Sequence, residues 1–85
     1  MEIEYAIQAQ NDLMFWKKSG NKGVQKKISQ LLQAMLEDPF TGIGKPEALK
    51  HELTGKWSRR INNEHRIVYL VTDEVIYIES LKGHY

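Results

Sequence analysis

Between Gly20-Asn21 and Pro39 lies the segment that most restricts what this chain can fold into. Val24, Ile28, Leu31, Leu32, Met35 and Leu36 recur at i, i+4, i+7, i+8, i+11 and i+12. At 3.6 residues per turn these positions fall on one stripe of a helix. Proline cannot continue a helix, so the element ends at Pro39. The stripe has to be buried against something else in the same chain. With 85 residues, only about 60–65% of the unfolded surface can be buried. That bounds the chain to a single domain, 1–85, with one thin core between a helix layer and a sheet.

The remaining elements follow from shorter signals. Ile3, Tyr5 and Ile7 alternate with Glu2, Glu4 and Ala6, the period of a strand. From Ala9 to Ser19 the pattern is helical, with Leu13 and Trp16 three apart and Lys17-Lys18 near the end, where cations suit the helix dipole. Gly20-Asn21 breaks it, so two helices form a hairpin. Phe40 to Glu52 has no period and carries Gly42, Gly44 and Pro46; it reads as a loop with a helical turn from Pro46 to Leu49. Three strands follow, Lys56–Ile61, Arg66–Thr72 and Val75–Leu81, with turns at Asn62-Asn63 and Asp73-Glu74. The expected fold is α+β, in the order β-α-α-β-β-β. An antiparallel sheet carries the helical hairpin on one face and leaves the other free to bind. Alternation does not decide which of His65 and Arg66 points to the free face. Arg66, Val68 and Leu70 make one row, His65, Ile67, Tyr69 and Val71 the other, and both are largely apolar.

Several classes of protein are disfavoured. No apolar run approaches the ~20 residues of a membrane span. The acidic Met1-Glu2-Ile3-Glu4 is unlike a signal peptide. With no cysteine, disulfides and thiolate metal sites are excluded, which fits a cytoplasmic protein. The net charge of +1 is unevenly spread. Residues 45–66 carry Lys45, Lys50, Lys56, Arg59, Arg60 and Arg66 against Glu47, Glu52 and Glu64. This basic stretch, with Trp57 within it, points to nucleic acid.

The same stretch and the chain end hold a set of groups suited to cutting RNA. Glu47 offers a carboxylate, Arg59, Arg60 and Arg66 guanidinium groups, and His84-Tyr85 an imidazole and a phenol. A base takes the 2′-hydroxyl proton, the oxygen attacks phosphorus, and an acid protonates the leaving 5′-oxygen. Fixed cations stabilise the charge that builds between these events. This chemistry is restricted to RNA, because DNA lacks the 2′-hydroxyl. It needs no metal and no cofactor. Plainer roles fit each residue alone. Glu47 after Pro46 suits a helix start. Arg59 and Arg60 suit an edge strand guarded by charge. His65, beside Glu64, suits a structural place at a hairpin corner. Trp16 and Trp57 read as core, His51 as a solvated loop residue, and Lys82 as either a phosphate contact or an exposed charge. His51, His65 and His84 match no zinc spacing. Gly42-Ile43-Gly44-Lys45 lacks the flanking strand and helix of a phosphate loop.

Four segments together resemble one known family: Gly42 to Lys50, Leu53 to Ile61, Glu64 to Tyr69, and the final His84-Tyr85. The chain resembles the YoeB/Txe toxins of bacterial toxin–antitoxin pairs, within the RelE-like superfamily. The likeness spans nearly the whole chain; the N-terminal strand matches in pattern only, and Gly83 stands where some members carry an aromatic ring. The resemblance implies a microbial-ribonuclease-like fold and a ribosome-dependent mRNA interferase. Such an enzyme engages the 30S surface and cuts mRNA in the ribosomal A site. By position, Glu47 would be the general base, Arg66 the stabiliser of the transition state, and His84 the general acid. Tyr85 would orient the scissile nucleotide. Lys50 and Arg59 match positions that contact phosphate or support the site, and Lys45, Arg60 and Lys82 are further candidates for phosphate contact. The resemblance also implies homodimers and a Phd/YefM-type antitoxin as partner. Two rivals share the fold: a catalytically idle RNA- or ribosome-binding module, and a gyrase-poisoning ParE-like toxin. The Glu/Arg/His set with a His-Tyr end disfavours the latter.

Overall fold

The hairpin of helices forms where the sequence places it, and its ends show why. In the computed structural model, which describes residues 1–83, helix α1 runs Ile7–Ser19 and helix α2 Lys22–Glu37. Gly20 closes α1 in the left-handed conformation, φ 71°, which glycine adopts without a Cβ penalty. Asn21 caps α2, its Oδ1 accepting from Val24 N–H at 3.1 Å. At the other end Asp38 precedes Pro39 and is extended, φ −156° and ψ 114°. A residue before proline is pushed out of the helical region. Helix α1 starts two residues earlier than its pattern implies, so Ile7 is helical and 77% exposed rather than a strand residue.

The sheet has five strands in the order β1-β5-β4-β3-β2. These are β1 (Glu2–Tyr5), β2 (Glu47–Ala48), β3 (Trp57–Arg60), β4 (Arg66–Val71) and β5 (Val75–Ser80). Strands β3, β4 and β5 form the expected antiparallel meander. Two expectations are corrected. The sheet is mixed, because β1 pairs parallel with β5, Glu2 opposite Val75 and Tyr5 opposite Ile78. The helical turn expected at Pro46–Leu49 is instead the short strand β2, antiparallel to β3, followed by a 3₁₀ turn at His51–Leu53. Glu47 is therefore not a helix-start carboxylate.

The core lies between the helices and one face of the sheet. Ala9, Trp16, Val24, Ile28, Leu31 and Met35 from the helices meet Ile67, Tyr69, Ile76, Ile78 and Leu81. The stripe of α2 is buried at four positions, but Leu32 is partly covered and Leu36 is 42% exposed. With residues 67 and 69 facing the helices, strict alternation sends Arg66, Val68 and Leu70 to the opposite face. That settles the parity which the two apolar rows leave open. His65, on the other side of the backbone, packs its ring edge-on against Trp16, centroids 4.8 Å apart.

Candidate active site

Register alone brings Glu47 and Arg66 to the same face. Glu47 pairs with Ser58 across β2–β3, and Ser58 pairs with Val68 across β3–β4. Arg66 is two residues from Val68, opposite Arg60. Glu47, Ser58, Arg60, Arg66 and Val68 thus share the face away from the helices. The Arg66 Nη1 lies 3.6 Å from Glu47 Oε1. The carboxylate side chain is 63% exposed and the guanidinium 24%. An ion pair this accessible contributes only about 0–1 kcal/mol to stability. The fold does not depend on it, and the Glu47 carboxylate stays accessible to solvent.

Arg59, one residue from Arg60, points the other way and is fully buried. Its Nε donates to Tyr69 Oη at 3.1 Å and its Nη1 to Ile43 O at 3.0 Å. Its Nη2 donates to Asp38 O at 2.8 Å and Thr41 O at 2.7 Å. Tyr69 Oη passes the chain on, donating to Pro39 O at 2.8 Å. Burial pushes the Tyr69 phenol above its ordinary 10.0, with Arg59 partly opposing, so the proton needed for that bond stays in place. The expected phosphate contact by Arg59 is therefore corrected, as is its guarding of an edge strand. All three guanidinium nitrogens are engaged inside the protein, and the residue ties the 38–43 loop to the sheet. Arg59 lies beneath the loop that leads into β2. Gly44 completes the loop: its carbonyl accepts from Arg60 N–H at 2.7 Å, with φ +84°.

The other expected phosphate contacts lie at separate places on the surface. Lys45 and Arg60 are exposed and line a shallow cleft of about 280 Å³ together with Lys27, Asn62 and Asn63. Lys50 is exposed just beyond β2. Lys82 is exposed with Nζ 3.8 Å from the centroid of Phe15. Trp57 is half-buried and stacks at a tilt on Phe40, centroids 4.9 Å apart. His84 and Tyr85 lie outside the described residues, but the chain is followed to Gly83, whose carbonyl accepts from Arg66 N–H at 2.9 Å. The backbone of the residue before His84 is thus bonded to the backbone of Arg66.

Sequence reasoning misses Asp12. This carboxylate is 4% exposed and accepts from Leu81 N–H at 2.9 Å and from Gln8 Nε2 at 2.8 Å. Its spacing from Ala9 and Trp16, three before and four after, puts it on the buried stripe of α1; a charged residue at such a position is a visible signal. Lys27 is missed as well, because its contribution to the cleft depends on a loop far along the chain.

A mixed sheet with a helical hairpin on one face is the architecture of small toxins with the RelE-like fold, as the structural neighbours of this chain show. The structure matches that of a YoeB/ParE toxin from Agrobacterium tumefaciens with a TM-score of 0.94 at 34% identity, over 100% of both chains. It matches the YoeB dimer of Staphylococcus aureus with a TM-score of 0.91 at 45% identity, over 100% of this chain and 98% of that one. YafQ of Escherichia coli, at 19% identity and a TM-score of 0.80, shares the fold. Residues 5–85 match the family of YoeB-like toxins of bacterial type II toxin–antitoxin systems. Toxin YoeB of Escherichia coli strain K12 is 42% identical over 85 residues, all of both chains. The chain belongs to this YoeB-like toxin family.

Proposed function

We propose that this toxin is an mRNA endoribonuclease that cuts codons in the ribosomal A site without a metal ion. The observation that carries the reading is the pairing of Glu47 and Arg66, from β2 and β4, on the face of the sheet away from the helices, with Gly83 bonded to the Arg66 backbone. Glu47 takes the proton from the 2′-hydroxyl, and O2′ attacks the adjacent phosphorus. Arg66 stabilises the charge that builds on the non-bridging oxygens. His84 gives its proton to the departing 5′-oxygen, and Tyr85 orients the nucleotide. The bond formed is O2′–P and the bond broken is P–O5′. The products are a 2′,3′-cyclic phosphate, open to hydrolysis to a 3′-phosphate, and a 5′-hydroxyl. A base and an acid from distant parts of the chain can flank one phosphate. Lys45, Lys50, Arg60 and Lys82 hold mRNA and the 30S surface through phosphates.

For partners, Staphylococcus aureus relatives have been solved as a YoeB dimer and as a YoeB–YefM complex. We extend both to this chain: a homodimer, and neutralisation by a Phd/YefM-type antitoxin. The groove along α2 lined by Gln33, Ala34, Gly42 and the exposed Ile43 offers apolar surface for a partner segment.

The test is single-turnover cleavage of mRNA on programmed ribosomes, with mapping of both new ends. His84→Gln and Glu47→Gln should each slow cleavage roughly 100-fold or more while ribosome binding is kept. Glu47→Gln should also leave stability unchanged, since the pair it breaks is solvent-accessible. Wild-type rates in either variant would remove that residue from the chemistry. A wild-type protein that binds ribosomes without cutting would leave a binding module.

A further inference from the structure

Beyond β5 the chain leaves the sheet, yet Leu81–Gly83 is held at both ends by side chains from other elements. Asp12 and Trp16 of α1 hold Leu81: Leu81 N–H donates to Asp12 Oδ2 at 2.9 Å, and Trp16 Nε1 donates to Leu81 O at 2.8 Å. Gly83 is held by two adjacent residues. Its N–H donates to His65 Nδ1 at 2.8 Å, and its carbonyl accepts from Arg66 N–H at 2.9 Å. A backbone amide can only donate, so His65 Nδ1 carries no proton. The other ring nitrogen, Nε2, lies 3.8 Å from Glu64 Oε2. The ring stands edge-on to Trp16, so the residue that holds Gly83 is itself held by the one that anchors Leu81.

We infer that His65 is a positioning residue for the terminal pair, its Nδ1 lone pair fixing the point from which His84 leaves the backbone. This rests on the proposed role of His84. Gly83 has φ +80° and open space where a Cβ would stand. Glycine has the widest conformational freedom of any residue. Nothing in its own stereochemistry confines it, so the confinement comes from its two hydrogen bonds. Residue 84 begins about 3.8 Å further on. A change of φ or ψ at Gly83 would swing its side chain by several times the ~1 Å misplacement that costs about 100-fold in rate. The purely structural alternative is that His65 only fills space against Trp16. The two roles separate by chemistry. His65→Leu keeps much of the bulk and removes the acceptor. His65→Asn places an amide oxygen near the position of Nδ1 and keeps it.

The experiment is NMR of the intact protein together with single-turnover cleavage on programmed ribosomes. In the wild type at neutral pH, the imidazole nitrogen spectrum should show His65 protonated at Nε2 and accepting at Nδ1; the opposite tautomer would overturn the inference, whatever the variants do. In His65→Leu the Gly83 amide should exchange at least about tenfold faster while the amides of β4 keep their protection. Saturated cleavage should fall roughly 100-fold with half-saturation unchanged. His65→Asn should recover most of both. Unaltered Gly83 protection in His65→Leu, a wild-type cleavage rate in it, or no recovery with Asn in a folded protein would each overturn the inference. Failure of the acid role shows up separately, as an unchanged rate for His84→Gln, and the Gly83 amide then decides whether His65 is the anchor.

Discussion

Replacing Arg59 by Met tests whether this residue is part of the frame or of the RNA contact. The substitution removes four hydrogen bonds from a charged donor. Bonds to charged groups are worth about 1.5–3 kcal/mol each, so the gross loss is roughly 6–12 kcal/mol. Two effects offset it. Met avoids the several kcal/mol needed to desolvate a buried guanidinium. Asp38, Thr41 and Ile43 are exposed, so their carbonyls can turn to water once released. The net expectation is a loss of about 3 kcal/mol, within the usual range for breaking a buried charged network. A domain of 85 residues has roughly 4–13 kcal/mol in total. Arg59→Met would therefore remove a large share of it and lower Tm by about 12–24 °C. Arg59→Lys keeps the charge but not the planar fork, and should lose about 2 kcal/mol, because one ammonium cannot reach three carbonyls and a phenol. Urea unfolding followed by tryptophan fluorescence gives both values, with the slope unchanged. The RNA arm uses the salt dependence of ribosome binding. Arg59→Lys should leave that slope unaltered, whereas Arg60→Ala should lower it by about 0.7, one phosphate contact on a single strand. A loss below about 1 kcal/mol in Arg59→Met would refute the clamp.

Two further outcomes follow from the same packing. At Gly44 an added Cβ would stand 2.5 Å from Leu31 Cδ2 and 3.1 Å from Arg59 Cβ, at φ +84°; Gly44→Ala should cost about 2–3 kcal/mol in urea unfolding, and a cost under about 0.5 kcal/mol would show that the loop gives way freely. Burial raises both the Tyr5 and the Tyr69 phenol above 10.0. Their folded-state affinity for the proton exceeds the unfolded one, so stability is complete below pH 10 and falls as pH rises through the folded values, by at most about 1.4 kcal/mol per pH unit for each phenol. An alkaline slope that is the same in a Tyr5→Phe, Tyr69→Phe protein would refute that assignment.

Local order determines a good deal of this protein. The stripe from Val24 to Met35, the Gly20-Asn21 break and the Pro39 stop are properties of neighbouring residues, so α2 and the hairpin are legible in the order of residues alone. The meander is legible too, since its turns sit between adjacent strands. The residues proposed for the chemistry can be named from their types and from a family resemblance. What the tertiary structure alone decides concerns partners far apart in the chain. The parallel pairing of β1 with β5 joins Glu2 to Val75, and no local signal marks it. Two largely apolar rows on β4 leave the directions of His65 and Arg66 open until the helices cover one of them. Arg59 and Arg60 are adjacent and chemically identical, yet one is fully buried beneath the 38–43 loop and the other faces the cleft. Strand alternation makes the two neighbours opposite, but only packing says which side is the inside.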